Sequence, residues 1–158
     1  MTRLAHLARR FFGTLRRRPL RPAQQAEAAG LLHPEERKLF WGQGPADQRH
    51  ALRCARAVLA RAPGRFDLAR AALLHDVGKG IVRLGVAGRV LATGLSLLRL
   101  PTPGRLGAYL EHGRSGADRL AAAGAEPLVV AYTRHHHDGR PAAVPAQDWE
   151  LLAAADRA

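Results

Sequence analysis

A single cysteine, Cys54, is all the thiol this chain has. It excludes an intramolecular disulfide and a thiolate-rich zinc site, and points to a reducing, cytoplasmic setting. Lysine is almost as scarce: of 25 basic residues only Lys38 and Lys79 are lysine, a bias that reflects gene composition more than arginine chemistry. No stretch alternates apolar and polar residues long enough to form a strand, so a sheet is not expected. Nor is there an uninterrupted apolar run of the roughly 20 residues that a spanning helix needs. Residues 81–100 come nearest, but Arg83, Arg89 and Arg99 interrupt them and Gly85, Gly88 and Gly94 weaken them. They read as one packed helix or a broken one.

What remains is an apolar-rich chain of 158 residues with a net charge of +12. The length suits one domain with a sizeable core. The charge favours anionic partners: phosphorylated metabolites, nucleic acid or an anionic membrane surface. Much of the excess lies in residues 1–21, where seven arginines meet no acid. Leu4, Leu7, Phe11 and Leu15 recur there at helical spacing, which suits an interfacial helix for anionic lipid or one docked on the domain. No apolar core long enough for a secretory signal follows the basic residues. Residues 1–21 are therefore set apart as a basic helix or tail, and residues 22–158 as the domain.

The domain reads as helices throughout. Residues 23–32 are alanine-rich, and Pro34, Glu35 and Glu36 open a short helix carrying Leu39, Phe40 and Trp41. A stronger helix is expected over 46–62, with Ala51, Leu52, Ala55, Val58 and Leu59 as its apolar stripe. Pro63-Gly64 separates it from a helix over 66–77, closed by Gly78 and Gly80. Two short helices over 105–112 and 115–123, hinged near Gly113, precede helices over 126–136 and from 145 to the C-terminus. The fold class is all-α, a single helical bundle.

Chemistry concentrates at Leu74-His75-Asp76-Val77-Gly78-Lys79. His75 falls in line with Ala72, Ala71 and Leu68, on the buried face of its helix, where a polar side chain needs a partner. Six of the eight histidines, His50, His75, His112, His135, His136 and His137, stand where an enclosed metal site could use them. Asp76 and Asp156 fall on core-facing positions near helix ends, where a carboxylate is costly unless paired or metal-bound. Imidazoles and carboxylates together suit Fe, Mn, Co, Ni or Zn, and carboxylates alone also admit Mg. Adjacent helical residues diverge by about 100°, so His75-Asp76 can straddle one ion or hold two with the carboxylate between them, and a second pair from the histidine triplet can do the same. Either His135-His136 or His136-His137 can supply that pair. Cys54, one turn from His50, reads as a small core residue or one facing the site.

The ordered set His50, His75-Asp76 with Gly78-Lys79, His112, His136-His137 and Asp156 resembles the HD-domain superfamily of metal-dependent phosphohydrolases, in the version with extra histidines for a second metal. The likeness covers the chain from about Leu32 to the C-terminus. It implies that His50, His75, Asp76 and Asp156 hold a first divalent ion and that Asp76 bridges to a second held by His112, His136 and His137. It also implies that Lys79 meets a substrate phosphate. Gly139 is followed by Arg140-Pro141, unlike the Gly-Tyr-Pro of the branch that hydrolyses cyclic di-GMP. The implied activity is hydrolysis of a phosphomonoester or phosphodiester of a small, nucleotide-like substrate by metal-activated water, with Asp76 and Lys79 central. Arg114, Arg134 and Arg140 flank the ligands and are candidates for the pocket mouth. A non-catalytic sensor or adaptor that keeps the fold and binds metal or nucleotide is the alternative. A basic RNA- or membrane-associated protein is a third, resting on the N-terminal arginines.

Overall fold

The computed structural model describes residues 18–82 and 84–157. Every regular element among them is a helix. The basic segment with Leu4, Leu7, Phe11 and Leu15 lies outside the described residues.

Among the described residues proline opens the first three helices, α1 (Pro22–Gly30), α2 (Pro34–Trp41) and α3 (Pro45–Arg61). Its fixed φ suits a first turn, and its missing N–H is one that a helix start leaves unused. In α2 the Glu36 carboxylate accepts the His33 backbone N–H at 2.9 Å, closing the entry. Ahead of α1, Leu20 is buried in the core and its carbonyl accepts the Gln25 side-chain amide at 2.8 Å.

The centre of the bundle is α4 (Phe66–Leu74), which buries six residues, Leu68, Ala69, Ala71, Ala72, Leu73 and Leu74. It packs against α2 and α3 and against two later helices, α9 (Pro127–His135) and α10 (Ala146–Asp156). Around it Phe40, Leu52, Val58, Leu120, Val129, Tyr132 and Leu152 form one continuous core. Each large apolar side chain so buried stabilises the fold by about 1.5–3 kcal/mol before entropy is counted. Arg65 holds the start of α4 to α10 through a bidentate pair with Asp148 at 2.9 and 3.0 Å.

The structure differs from the sequence expectation where α4 ends. The helix stops at Leu74, not Val77, and the chain continues through tighter turns. The N–H groups of Val77, Lys79, Gly80 and Ile81 each reach a carbonyl three residues back, at 3.0–3.1 Å. Gly80 therefore lies inside the short α5 (Lys79–Val82) and does not close α4. The 81–100 stretch is broken: α6 (Val86–Leu97) starts anew behind Gly85. It is not packed all round, since Ala92 is its one buried residue. Its inner side is tied to α3 by Arg89, whose guanidinium grips Asp47 at 2.7 and 2.8 Å.

The next two helices, α7 (Arg105–Leu110) and α8 (His112–Ala122), part at Glu111, not at Gly113. Gly113 sits within α8 against α9, where a Cβ would lie 3.0 Å from the Thr133 carbonyl oxygen and 3.1 Å from that of Arg134. No single helix among the described residues is long and apolar enough to cross a membrane.

Candidate metal centre

Three histidines reach the same point by the same local device. His75 caps the C-terminus of α4, His136 caps that of α9, and His112 stands at the break between α7 and α8. Each turns its ring back on the preceding turn. Nδ1 of His75 donates to the Ala72 carbonyl at 2.9 Å, that of His112 to Tyr109 at 2.8 Å and that of His136 to Thr133 at 2.8 Å. A carbonyl can only accept, so the proton belongs on Nδ1 and the neutral ring presents an Nε2 lone pair. Such a backbone bond orients a metal-ligating histidine and fixes its tautomer.

All three Nε2 atoms face Asp76, which is buried. His75 Nε2 lies 3.4 Å from Oδ2, while His112 and His136 lie 3.3 and 3.5 Å from Oδ1. Lys79, also buried, places its Nζ on Oδ2. His75 Nε2 is also 3.3 Å from Oδ1 of Asp156. Asp76 is thus the meeting point of two groups, one on each carboxylate oxygen. One group is Asp76, His50 and His75; the other is Asp76, His112, His136 and His137, with the donor atoms of each within 4.8 Å of one another.

His50 is set differently. Its Nδ1 accepts from the Arg53 guanidinium at 3.0 Å, so its proton lies on Nε2, donated to Asp156 Oδ1 at 2.9 Å. For His50 to act as a ligand through Nε2, that proton has to leave. Cys54 belongs to this corner too: buried, with Sγ 3.6 Å from His50 Nε2, it forms a third possible ligand group with His50 and Asp156. The i, i+4 spacing of His50 and Cys54 was the signal in the sequence.

The electrostatics fit a cation. Burial pushes the Asp76 carboxyl up, but Lys79, His75, His112 and His136 outweigh it and hold it well below the usual range. Asp156 is likewise held low by His50 and His75 against the upward push of burial. Burial lowers His50 and His136, only partly offset by Asp156 and Asp76 respectively. His75 goes the other way, because Asp76 and Asp156 outweigh its burial. His137 stands at the exposed rim, yet burial of its ring and repulsion from His136 and His112 push it down to about 3. Asp76 Oδ1 and His136 Nε2 have no hydrogen-bond partner although both are buried. Acceptors facing acceptors in a buried pocket are costly, and a metal ion is the group that satisfies them together. The cluster can therefore hold a metal ion.

Of the residues singled out in the sequence, His50, His75, Asp76, Asp156, His112, His136 and His137 come together around Asp76. Of the triplet, His136 and His137 fall within a possible ligand group, whereas His135 lies outside these groups and lines a cleft. This cleft of about 250 Å³ is bordered by Glu111, Arg114, Arg134, His135, His137 and Asp138, so His137 belongs to both cluster and cleft. Arg134 pairs with Asp118 at 2.6 Å. Arg140 is not among the lining residues; it donates to the Val144 carbonyl at 2.8 Å. Lys79 is buried on Asp76, not displayed in the cleft.

Sequence reasoning missed the carbonyls of Ala72, Tyr109 and Thr133, for which any residue type would serve. It also missed the close approach made at Gly78, where a Cβ would lie 1.9 Å from the His112 carbonyl oxygen. With Gly116, whose Cβ would lie 2.9 Å from the Gly78 nitrogen, it lets α8 press on the turn that carries Asp76. Comparison with family models, curated proteins and solved structures gave no match to this chain.

Proposed function

We propose that this chain is a metal-dependent phosphohydrolase of the HD-domain type, holding two divalent ions on either side of Asp76. The observation that carries the reading is the division of the Asp76 carboxylate, with His75 and Lys79 on Oδ2 and His112 and His136 on Oδ1. A carboxylate flanked in this way suits the shared ligand of a pair of ions. His50, His75 and Asp156 would complete the first position, and His112, His136 and His137 the second. Ions so held would lower the pKa of water toward neutrality and polarise phosphoryl oxygens.

The chain's own residues supply the rest. Arg114 and Arg134, at the border of the cleft beside His137, suit an anionic phosphate arriving from solvent. Lys79 balances the buried charge of Asp76 and so positions that carboxylate; direct contact with substrate is not needed for this role. At about 250 Å³ the cleft is at the small end for a ligand pocket, which suits the phosphate-bearing part of a small phosphomonoester or phosphodiester.

The test is elemental analysis of purified protein alongside hydrolysis assays on nucleoside monophosphates, cyclic nucleotides and simple aryl phosphates, with Mn, Co, Ni, Zn, Fe and Mg supplied in turn. Metal-dependent turnover that Asp76→Ala abolishes is expected. No turnover with any metal, or metal content and turnover unchanged in Asp76→Ala, would overturn the reading.

A further inference from the structure

We propose that α6 and the turn after it form an interfacial anchor that seats this protein on an anionic phospholipid bilayer. The proposal is independent of the metal centre and rests on which residues α6 turns outward. A helix on the surface of a globular protein ordinarily shows a polar face to water. Here the exposed residues Ala87, Val90, Leu91, Leu97 and Leu98 recur at three- and four-residue intervals along one side, with Gly94 in line between them. Leu97 and Leu98 are each 71% exposed, and Leu100, just beyond the helix, is 49% exposed. The inner side is already committed, through Ala92 and the Arg89–Asp47 pair. Among the described residues no element covers the apolar stripe. Contiguous exposed apolar surface of this kind marks an interaction site.

Charge selects the occupant. From Val77 to Leu110 the sequence holds no Asp or Glu, yet it holds Lys79, Arg83, Arg89, Arg99 and Arg105. Lys79 and Arg89 are turned inward onto Asp76 and Asp47; Arg99 is exposed between Leu98 and Leu100, and Arg105, also exposed, donates to the Val82 carbonyl at 2.8 Å. Arg99 takes a left-handed backbone, φ 55°, at the tip of the turn between Leu98 and Leu100. Apolar side chains flanked by arginine and free of acids match the boundary between acyl chains and anionic headgroups. A second copy docking through the same face would bring the arginines of both chains together with no carboxylate in the stretch to meet them. A spanning arrangement is disfavoured as well. The only apolar helix pair long enough for one, residues 66–82 with 86–97, is bent by 101° among the described residues, and its first helix is buried in the core.

The test uses the full chain and flotation with vesicles of phosphatidylcholine alone, or of phosphatidylcholine and phosphatidylglycerol in equal parts. The wild-type protein is expected to float with the anionic vesicles and not with the neutral ones. Leu91→Gln/Leu97→Gln/Leu98→Gln is expected to lower the partition coefficient on the order of tenfold or more, with the N-terminal arginines still in place. In a separate Leu98→Trp protein, tryptophan emission should shift to the blue with anionic vesicles only, a readout that does not depend on the triple variant folding. The proposal is overturned if wild-type protein stays with the soluble fraction, or if the triple variant floats as the wild type does, which would assign binding to the N-terminal arginines. It is equally overturned if Leu98→Trp emission does not move. A wild-type dimer in light scattering that the triple variant breaks, without vesicle binding, would assign the face to a second copy.

Discussion

His112 and His137 meet with their Nε2 atoms 3.1 Å apart. Because His112 Nδ1 already donates to Tyr109, its Nε2 offers a lone pair, and the two rings must share a proton or a cation between them. Two imidazole nitrogens each about 2.0–2.1 Å from one zinc-like ion lie about 2.8–3.4 Å apart across octahedral to tetrahedral angles. The observed spacing is within that range. Elemental analysis of the loaded protein is therefore expected to return two ions per chain, falling to one in His112→Ala. An unchanged count in His112→Ala would remove this corner from the ligand set.

Asp76 and Lys79 are buried together, so removing either one strands the other's charge. Asp76→Asn is expected to destabilise the metal-free protein by about 3–5 kcal/mol in urea unfolding, and Lys79→Met by a similar amount. The double variant should be more stable than either single one, because no uncompensated charge remains, and yet bind no metal. Additive losses in the double variant would mean that the two side chains are not coupled.

Gly78→Ala places a methyl group 1.9 Å from the His112 carbonyl oxygen, which is backbone and cannot swing aside. A loss of about 1–3 kcal/mol is expected from the overpacking, together with weaker metal binding as α8 is pushed from Asp76. Gly30→Ala, with nothing within 4 Å of the new Cβ, serves as the control and should change stability little. Calorimetric titration with Mn or Zn, beside urea unfolding, separates the two effects.

Acid should weaken the metal-free fold. His137, lowered to about 3 from an ordinary 6.5, stays neutral while an unfolded chain would take up its proton, and His50 and His136 are lowered in the same sense. These groups therefore cost stability as pH falls below 6.5. His75, which is raised, opposes them: its contribution is present below 6.5 and lost as pH rises through its folded value. Asp76 and Asp156, both lowered from 3.8, add stability above that value that is lost as pH falls toward their folded values. With three imidazoles against one, Tm of chelator-treated protein should fall from pH 7 to pH 4. The extra Tm given by bound metal should shrink over the same range, since protons compete for Nε2. A metal-induced gain that does not vary with pH would argue against imidazole ligands.

The helices were legible because proline, glycine and apolar spacing act locally: Pro22, Pro34 and Pro45 each stand at a helix start in the structure. The ligand types were legible too, since His75 and Asp76 occupy positions where a polar side chain needs a reason. The end of α4 was not. A side-chain bond from His75 to Ala72 and a run of three-residue turns shorten it, and neither leaves a compositional trace. The inward turn of Lys79 depends on distances that only the folded chain defines. The 81–100 stretch read as one packed helix or a broken one, and the structure shows it broken; that α6 turns an apolar stripe outward was not legible, because hydropathy reports that a face is apolar, not what it meets.

The divided carboxylate of Asp76 has a thermodynamic consequence. Two ions that share one ligand cannot bind as strangers, because occupying one position changes the charge and orientation that the other position sees. Whatever factor the first ion imposes on the affinity of the second, the second imposes on the first. With two ions held as proposed, a titration isotherm for this protein should resist description by two identical, independent sites, and Asp76 would be the residue through which the coupling runs.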